Sequence, residues 1–480
     1  MGMKGVLHIL HTNDLHSHFS EMAHISTGLK TMRQALQEQG QPVVTVDLGD
    51  HMDRMTLKTE ATWGRANIEI LNESGYDLVT IGNNEGLTFP REQLNRLYES
   101  ASFDVLCANL IDSATKKIPE FMEPYVIQTY GDVKVGWIGL TAPFSSFPFY
   151  KLLGFETRDP FEAAGAIVET IRPQVDIVVV LSHLGYNFDV ELARNTRGID
   201  VILGGHTHTY LPDGEMINRT LVCQTGKFGQ HIGHVHIQYD KETREVESLQ
   251  AACIPSTDYE ADRDIEELIA KYRQRAEDIM SEVVVRLDRD LPVSWQEESP
   301  LANLLAVGLR AWTDADIGVV NSGALLFSLK KGPVTRKDML ALCPHPINPC
   351  KMKLTGAQIR IILEESLDDG NVNREIRGFG FRGKVLGRLS IAGADVYFSP
   401  KGKSGKRIER ILVHGEPIRD DKLYTVGTID MFTFGIVFPT FKRGSEVEYY
   451  LPEFLRDVLQ QELKKEHSLE ECSKKHWLDI

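Results

Sequence analysis

Five short polar clusters, each placed just beyond a strongly apolar run, constrain this chain more than any other feature. In order they are Asp14-Leu15-His16, Gly49-Asp50, Gly82-Asn83, His183, and Gly204-Gly205-His206-Thr207-His208. The apolar runs read as strands over residues 5–11, 43–48, 78–81, 133–140, 176–181 and 201–203. Helical spacing fills residues 27–39, 65–74 and 162–171 between them. Strands alternating with helices predict an α/β domain, whose loops converge on one edge of the sheet. The five clusters therefore gather in one place. Each alone is ordinary: an Asp after a strand serves turns, and a His after aliphatic residues is usually a hydrogen-bonded core imidazole. Five in series supply two carboxylates, four imidazoles and an amide oxygen, a donor set suited to a pair of divalent ions.

At 480 residues the chain is too long for one ordinary core, so two domains are expected. Residues 220–239 alternate and close the first as antiparallel strands. Residues 258–282 read as a charged amphipathic linker helix, with Ile265, Leu268, Ile269, Tyr272 and Ala276 at helical spacing. A strand at 283–287 opens the second domain. A helix follows, with Ser299 as N-cap and Pro300 at its first position. Strands are expected at 317–321, 350–353, 387–398 and 424–428, and a helix at 356–366. The assignment is thus 1–257, linker 258–282, second domain 283–455, and a charged helical tail 456–480. Net charge of −15 argues against nucleic acid or an anionic membrane as partner. No apolar run approaches the ~20 residues that span a bilayer. The strand pattern starting at Val6 leaves no room for a signal peptide, and six cysteines without a CxxC read as reduced thiols. A cytoplasmic protein with a small-molecule partner is expected; the sequence does not define its oligomeric state.

The ordered clusters resemble the signature of the calcineurin-like metallophosphoesterases. The continuation Gln224-Thr225-Gly226-Lys227-Phe228-Gly229, with Gly233, resembles the 5′-nucleotidase branch. So do Glu298-Ser299-Pro300-Leu301-Ala302-Asn303-Leu304, Asn321-Ser322-Gly323, Gly332-Pro333-Val334-Thr335 and Leu354-Thr355-Gly356-Ala357-Gln358 in the second domain. The resemblance implies a four-layer α/β/β/α metal domain followed by a smaller α+β substrate-binding domain. It implies one ion on Asp14, His16, Asp50 and His208, and another on Asp50, Asn83, His183 and His206, with Asp50 bridging. Manganese leads, with zinc, iron or cobalt as alternatives. The implied reaction is in-line attack on a phosphoester, of a nucleotide in nucleotide catabolism, by a hydroxide held between the ions.

The departures are as informative as the matches. The family carries Gly-Asn-His-Glu with an Asp two residues on; here the stretch is Gly82-Asn83-Asn84-Glu85-Gly86-Leu87. Asn84 at that catalytic position donates a hydrogen bond but is no proton donor, and general acid help is typically worth ~10²–10⁴ in rate. His51 and His18 are the nearest substitutes in sequence. The nucleotide clamp is rewritten too: Leu326 stands where an arginine is common, Pro344-His345 where a Pro-Phe stacks on the base, and Val437 near the position of the acidic ribose ligand. Met431 replaces a second Phe, with Phe432 and Phe434 close by. Substrate contacts are thus expected from His345, Asn321, Phe432 and Phe434. Alternative readings are a phosphodiesterase or pyrophosphatase acting on cyclic, sugar-linked or diphosphate compounds, and a nucleotide-binding pseudoenzyme that keeps its metals.

Overall fold

The computed structural model describes residues 4–480. The chain divides into two compact units, Met1–Ala276 and Glu277–Ile480. The division falls inside the helix Arg263–Met280, which begins later than its charge pattern predicts because Ser256–Asp258 form a 3₁₀ turn.

The first unit is built on two six-stranded sheets. One runs Val246–Pro255, His231–Asp240, Lys4–Thr12, Val43–Asp47, Leu78–Thr80, Asp104–Leu106; the other runs Glu215–Ile217, Thr220–Cys223, Val201–Leu203, Ile177–His183, Val133–Thr141, Tyr125–Tyr130. Alternation along each strand sends one apolar set between the sheets. Leu7, Ile9, Val44, Val46, Trp137, Val179, Leu181, Val235 and Ile237 form that inner core. The opposite set on the second sheet, including Ile138, Leu140, Val178 and Val180, packs with Ala164, Val168, Ile171 and Leu192 from the helices Pro160–Ile171 and Tyr186–Asn195. The helix Phe19–Glu38 covers the other sheet and starts well before residue 27. These are the four layers expected. Strands buried on both faces read as continuous Val/Ile/Leu runs, which is why they were visible in sequence.

The second unit has a five-stranded sheet, Leu389–Ala392, Ile317–Asn321, Leu423–Ile429, Pro349–Thr355, Ser445–Tyr449, and a four-stranded sheet, Glu416–Pro417, Ile408–Val413, Ala394–Phe398, Trp477–Asp479. The expected strand 387–398 is split at Gly393, whose φ of +80° turns the chain from one sheet to the other. The helix Pro300–Trp312 packs on the larger sheet and is almost wholly buried. The tail corrects the expectation of a charged helix. It forms two short helices, Leu455–Glu462 and Glu466–Glu471, then a strand that pairs Val396 with Trp477. Its Leu455, Val458, Leu459 and Leu463 belong to the core, so charge on the outer face hid an inner apolar stripe. Among the described residues, no helix is long and apolar enough to cross a membrane.

Candidate metal centre

Five strands of the first unit, three parallel in one sheet (Lys4–Thr12, Val43–Asp47, Leu78–Thr80) and two parallel in the other (Ile177–His183, Val201–Leu203), lead into the polar clusters. Backbone bonds tie these loops together: Asp14 N donates to Gly49 O, His16 N to Asp50 O and Ser17 N to His51 O, at 3.1, 2.8 and 3.0 Å. Asp14, His16, Asp50, His206 and His208 all have left-handed φ, between 46° and 72°. That conformation costs a non-glycine residue about 1–2 kcal/mol. It persists where surrounding bonds over-determine it, as at sites that must aim side chains.

The seven candidate ligands come together. Asp14 Oδ1 lies 3.4 Å from His208 Nε2 and 3.7 Å from His16 Nε2, and those imidazole nitrogens are 3.1 Å apart. Asp50 Oδ1 lies 3.4 Å from His183 Nε2, while its Oδ2 lies 3.8 Å from His16 Nε2. Asn83 Oδ1 is 2.6 Å from His206 Nδ1 and 3.3 Å from His183 Nε2. Two triads, Asp14–His16–His208 and Asp14–Asp50–His183, have ligand atoms within 4.8 Å of one another. Asp14, Asp50 and His183 are buried, whereas the His208 side chain is 32% exposed, so the cluster opens on the His208 side.

The donor chemistry fits divalent ions. His183 Nδ1 is held by Leu48 O at 2.6 Å, which puts a proton there and turns Nε2 toward the cluster. Burial would lower the His183 pKa, but Asp50 outweighs it and pushes it up to about 10. Burial would raise both carboxylates, but His16 and His208 hold Asp14, and His183 holds Asp50, below the usual range. His206 is held down to about 4 by burial and then by His183. Two buried carboxylates that pull positive charge onto neighbouring imidazoles suit the same demand as a cation.

Three supports went unread in the sequence. Asn13 Nδ2 holds Asp14 Oδ2 at 2.7 Å and Gly226 O at 2.8 Å, while its Oδ1 accepts from Thr225 N at 2.9 Å. Glu85, fully buried, accepts from Asp50 N, Met52 N and Gly82 N at 2.9–3.0 Å, clamping two ligand loops at once. Gly82 is required beside it: a Cβ there would sit 2.2 Å from Asp50 N and Oδ1. Asp189 accepts from Ser182 Oγ and from Gln224 Nε2 beneath the His183 and His206 loops. Each works through a partner far away in sequence, so no local pattern announced it.

The expected catalytic residues fall differently. Asn84 adjoins the cluster, but its carboxamide nitrogen donates to Met52 O at 2.9 Å and lies 3.0 Å from His16 Nδ1. It braces a ligand. His51 is fully buried, with Nδ1 3.3 Å from Asp47 Oδ1 and 3.8 Å from Glu85 Oε1. Expected as a catalytic group, it sits between two buried carboxylates. His18 is partly exposed and packs at a tilt against Phe228, with ring centroids 4.0 Å apart.

In the second unit His345 is fully buried. Its Nε2 donates to Ala324 O at 2.8 Å, its Nδ1 accepts from Arg382 N at 2.9 Å, and one ring face stacks on Phe381. Asn321 is buried and bonded to Leu386 O, and Phe432 is buried against Phe441 and Phe438. Expected to touch substrate, all three are packed inside the second unit. Phe434 alone of the four is partly exposed; its neighbour is the exposed Phe379, with ring centroids 5.7 Å apart.

With this geometry in hand, comparison with known proteins is specific. Residues 7–210 match the calcineurin-like phosphoesterase model and residues 279–443 the 5′-nucleotidase C-terminal domain model. The metallophosphoesterase YunD of Bacillus subtilis (strain 168) is 38% identical over 459 residues, 95% of this chain and 99% of that one. A 5′-nucleotidase precursor from Thermus thermophilus superposes with a TM-score of 0.60 at 24% identity, over 99% of each chain. The calcineurin-like phosphoesterase YfkN structure from Bacillus subtilis has a TM-score of 0.51 at 19% identity, covering 58% of this chain and 99% of that one.

Proposed function

The chain belongs to the calcineurin-like metallophosphoesterases that carry a 5′-nucleotidase C-terminal domain, and from that premise we propose that it hydrolyses nucleotide phosphoesters with two divalent ions. The observation that carries the two-ion reading is Asp50: one carboxylate oxygen faces His183 and the other faces His16. Asp14 is common to both triads, with its Oδ2 also accepting from Asn13 Nδ2 and from His206 N at 3.0 Å, while Asp50 Oδ1 also accepts from Asn84 N at 2.7 Å. Divalent ions held there would acidify a water toward neutral pKa and offset the charge that grows on the phosphoryl oxygens. Manganese remains the leading ion, with zinc, iron and cobalt as rivals separated by availability rather than affinity. Six free cysteines suit a reducing, cytoplasmic setting.

The chain's own part is orientation. Glu85 fixes the Asp50 and Asn83 loops, Asn13 fixes Asp14, and Asn84 steadies the ring of His16. Neither Asn84 nor His51 offers a proton to a leaving group. That favours, within the same class, substrates whose leaving group is already good, such as phosphoanhydrides of nucleotides. Asp50→Asn tests the reading: metal content by emission spectrometry should fall, and hydrolysis of an aryl phosphate should be lost. Full activity with full metal content would remove Asp50 from the centre.

A further inference from the structure

A cleft of about 580 Å³ lies in the first unit beside the metal centre, and neither metal ligands nor family motifs account for it. Its walls include Ser17 and His18, directly after the ligand His16, together with Lys58 and Arg273. His18 joins the two places. It packs at a tilt against Phe228, whose ring centroid lies 5.7 Å from that of His16 and 6.1 Å from that of His208.

The cations are the unusual part. Lys58 is half-buried, with its ammonium 4.5 Å from the Phe19 ring centroid. Among the described residues neither Lys58 nor Arg273 forms an ion pair. Burial, and then the Arg273 guanidinium, hold the Lys58 ammonium below its usual range, with no carboxylate offsetting them. Glu21 and Glu266 also line the cleft, and Glu21 acts on His18 and accepts from Ser20 Oγ at 2.6 Å, but neither carboxylate pairs with Lys58 or Arg273. The half-buried Lys58 ammonium and the exposed Arg273 guanidinium repel one another with no carboxylate paired to either, and an anion between them would relieve that repulsion.

We infer that Lys58, Arg273 and His18 form a binding site for a phosphate-type oxyanion, presented by the substrate as a second phosphoryl group while its first lies at the metal centre. The substrate half rests on the phosphoesterase reading; the oxyanion site does not. Two arms test them separately. Inorganic phosphate is titrated by calorimetry into the full chain in excess chelator, so that no metal binds it. Lys58→Met and Arg273→Met should each weaken binding by about tenfold or more, as loss of a charge-assisted bond does, and Lys58→Arg should retain it. Equal affinity in all forms, or no saturable binding in any, overturns the site. In the metal-loaded full chain, Lys58→Met should raise KM for a nucleoside diphosphate and leave KM for the matching monophosphate unchanged. Lost phosphate binding with both KM values unchanged would overturn the substrate half and make free phosphate the ligand. If neither nucleotide is hydrolysed, the phosphoesterase reading fails while the titration still decides the site.

Discussion

Asn84 stands where the resemblance implies a histidine, and its carboxamide is committed to Met52 O and to the ring of His16. Its work is therefore on a ligand's orientation. Removing such a bracing partner typically costs about 10–100-fold in metal affinity or activity. Asn84→Ala should lower kcat/KM for an aryl phosphate within that range and reduce metal retained after dialysis. Asn84→His should bring no gain on alkyl phosphomonoesters, because a larger ring cannot keep the contact with His16 and also reach a leaving group. A clear rise in that rate, measured beside the aryl ester, would show that a proton donor is what the site lacks. The same residue marks the limit of sequence reading. The ligands were legible because their types recur in order after apolar runs. Asn13, Glu85 and Asp189 were not, since their partners lie in other loops. The buried setting of His345 was not legible, because it depends on Phe381 and Arg382, which carry no motif.

At the scale of elements, the pairing of Lys4–Thr12 with His231–Asp240 sets up an acid-sensitive seam. The register places His8 opposite His236 and Leu10 opposite His234, so three imidazoles share one face. His8 Nδ1 lies 2.9 Å from His234 Nε2, its ring 5.0 Å from that of His236, and its Nε2 3.0 Å from Gln41 Oε1. Burial and neighbouring imidazoles hold His234 down to about 4 and lower His8. His11, on the other face and fully buried, is held down to about 3. A folded pKa below the unfolded value of about 6.5 means that unfolding takes up protons. These groups' contribution is complete above about pH 6.5 and is lost as pH falls from there toward their folded values. Urea unfolding of the first unit should show a lower midpoint at pH 5 than at pH 7.5, and His234→Gln should shrink that difference. An unchanged pH dependence in the variant would place the acid sensitivity elsewhere. The long strands behind this seam were readable from their alternation. The three-residue strand Trp477–Asp479 was not, because so short a segment is defined only by its partner Ala394–Phe398.

For the molecule as a whole, the division of labour follows from where the residues lie. All seven candidate ligands, the supports Asn13, Glu85 and Asp189, and the Lys58–Arg273 cleft belong to the first unit. That unit has its own inner core between two sheets and a second core under its helices. The solved YfkN chain shares the fold over 58% of this chain, with 99% of its own length covered. The second unit has a separate core and, of the four aromatic and polar positions expected to touch substrate, exposes only Phe434. Metal binding and attack on a small ester should therefore need the first unit only. Residues 1–281, which keep the helix Arg263–Met280 whole, should bind as many divalent ions per chain as the full protein. They should hydrolyse an aryl phosphate with kcat/KM within about tenfold of it, since such a substrate is held mainly at the metals. Nucleotides should distinguish the two forms: KM should rise in the shortened chain if the second unit supplies contacts to base or ribose. The assay pairs metal analysis with steady-state kinetics on both substrate types. A folded, metal-loaded 1–281 chain without aryl phosphatase activity would show that the second unit contributes to the chemistry itself.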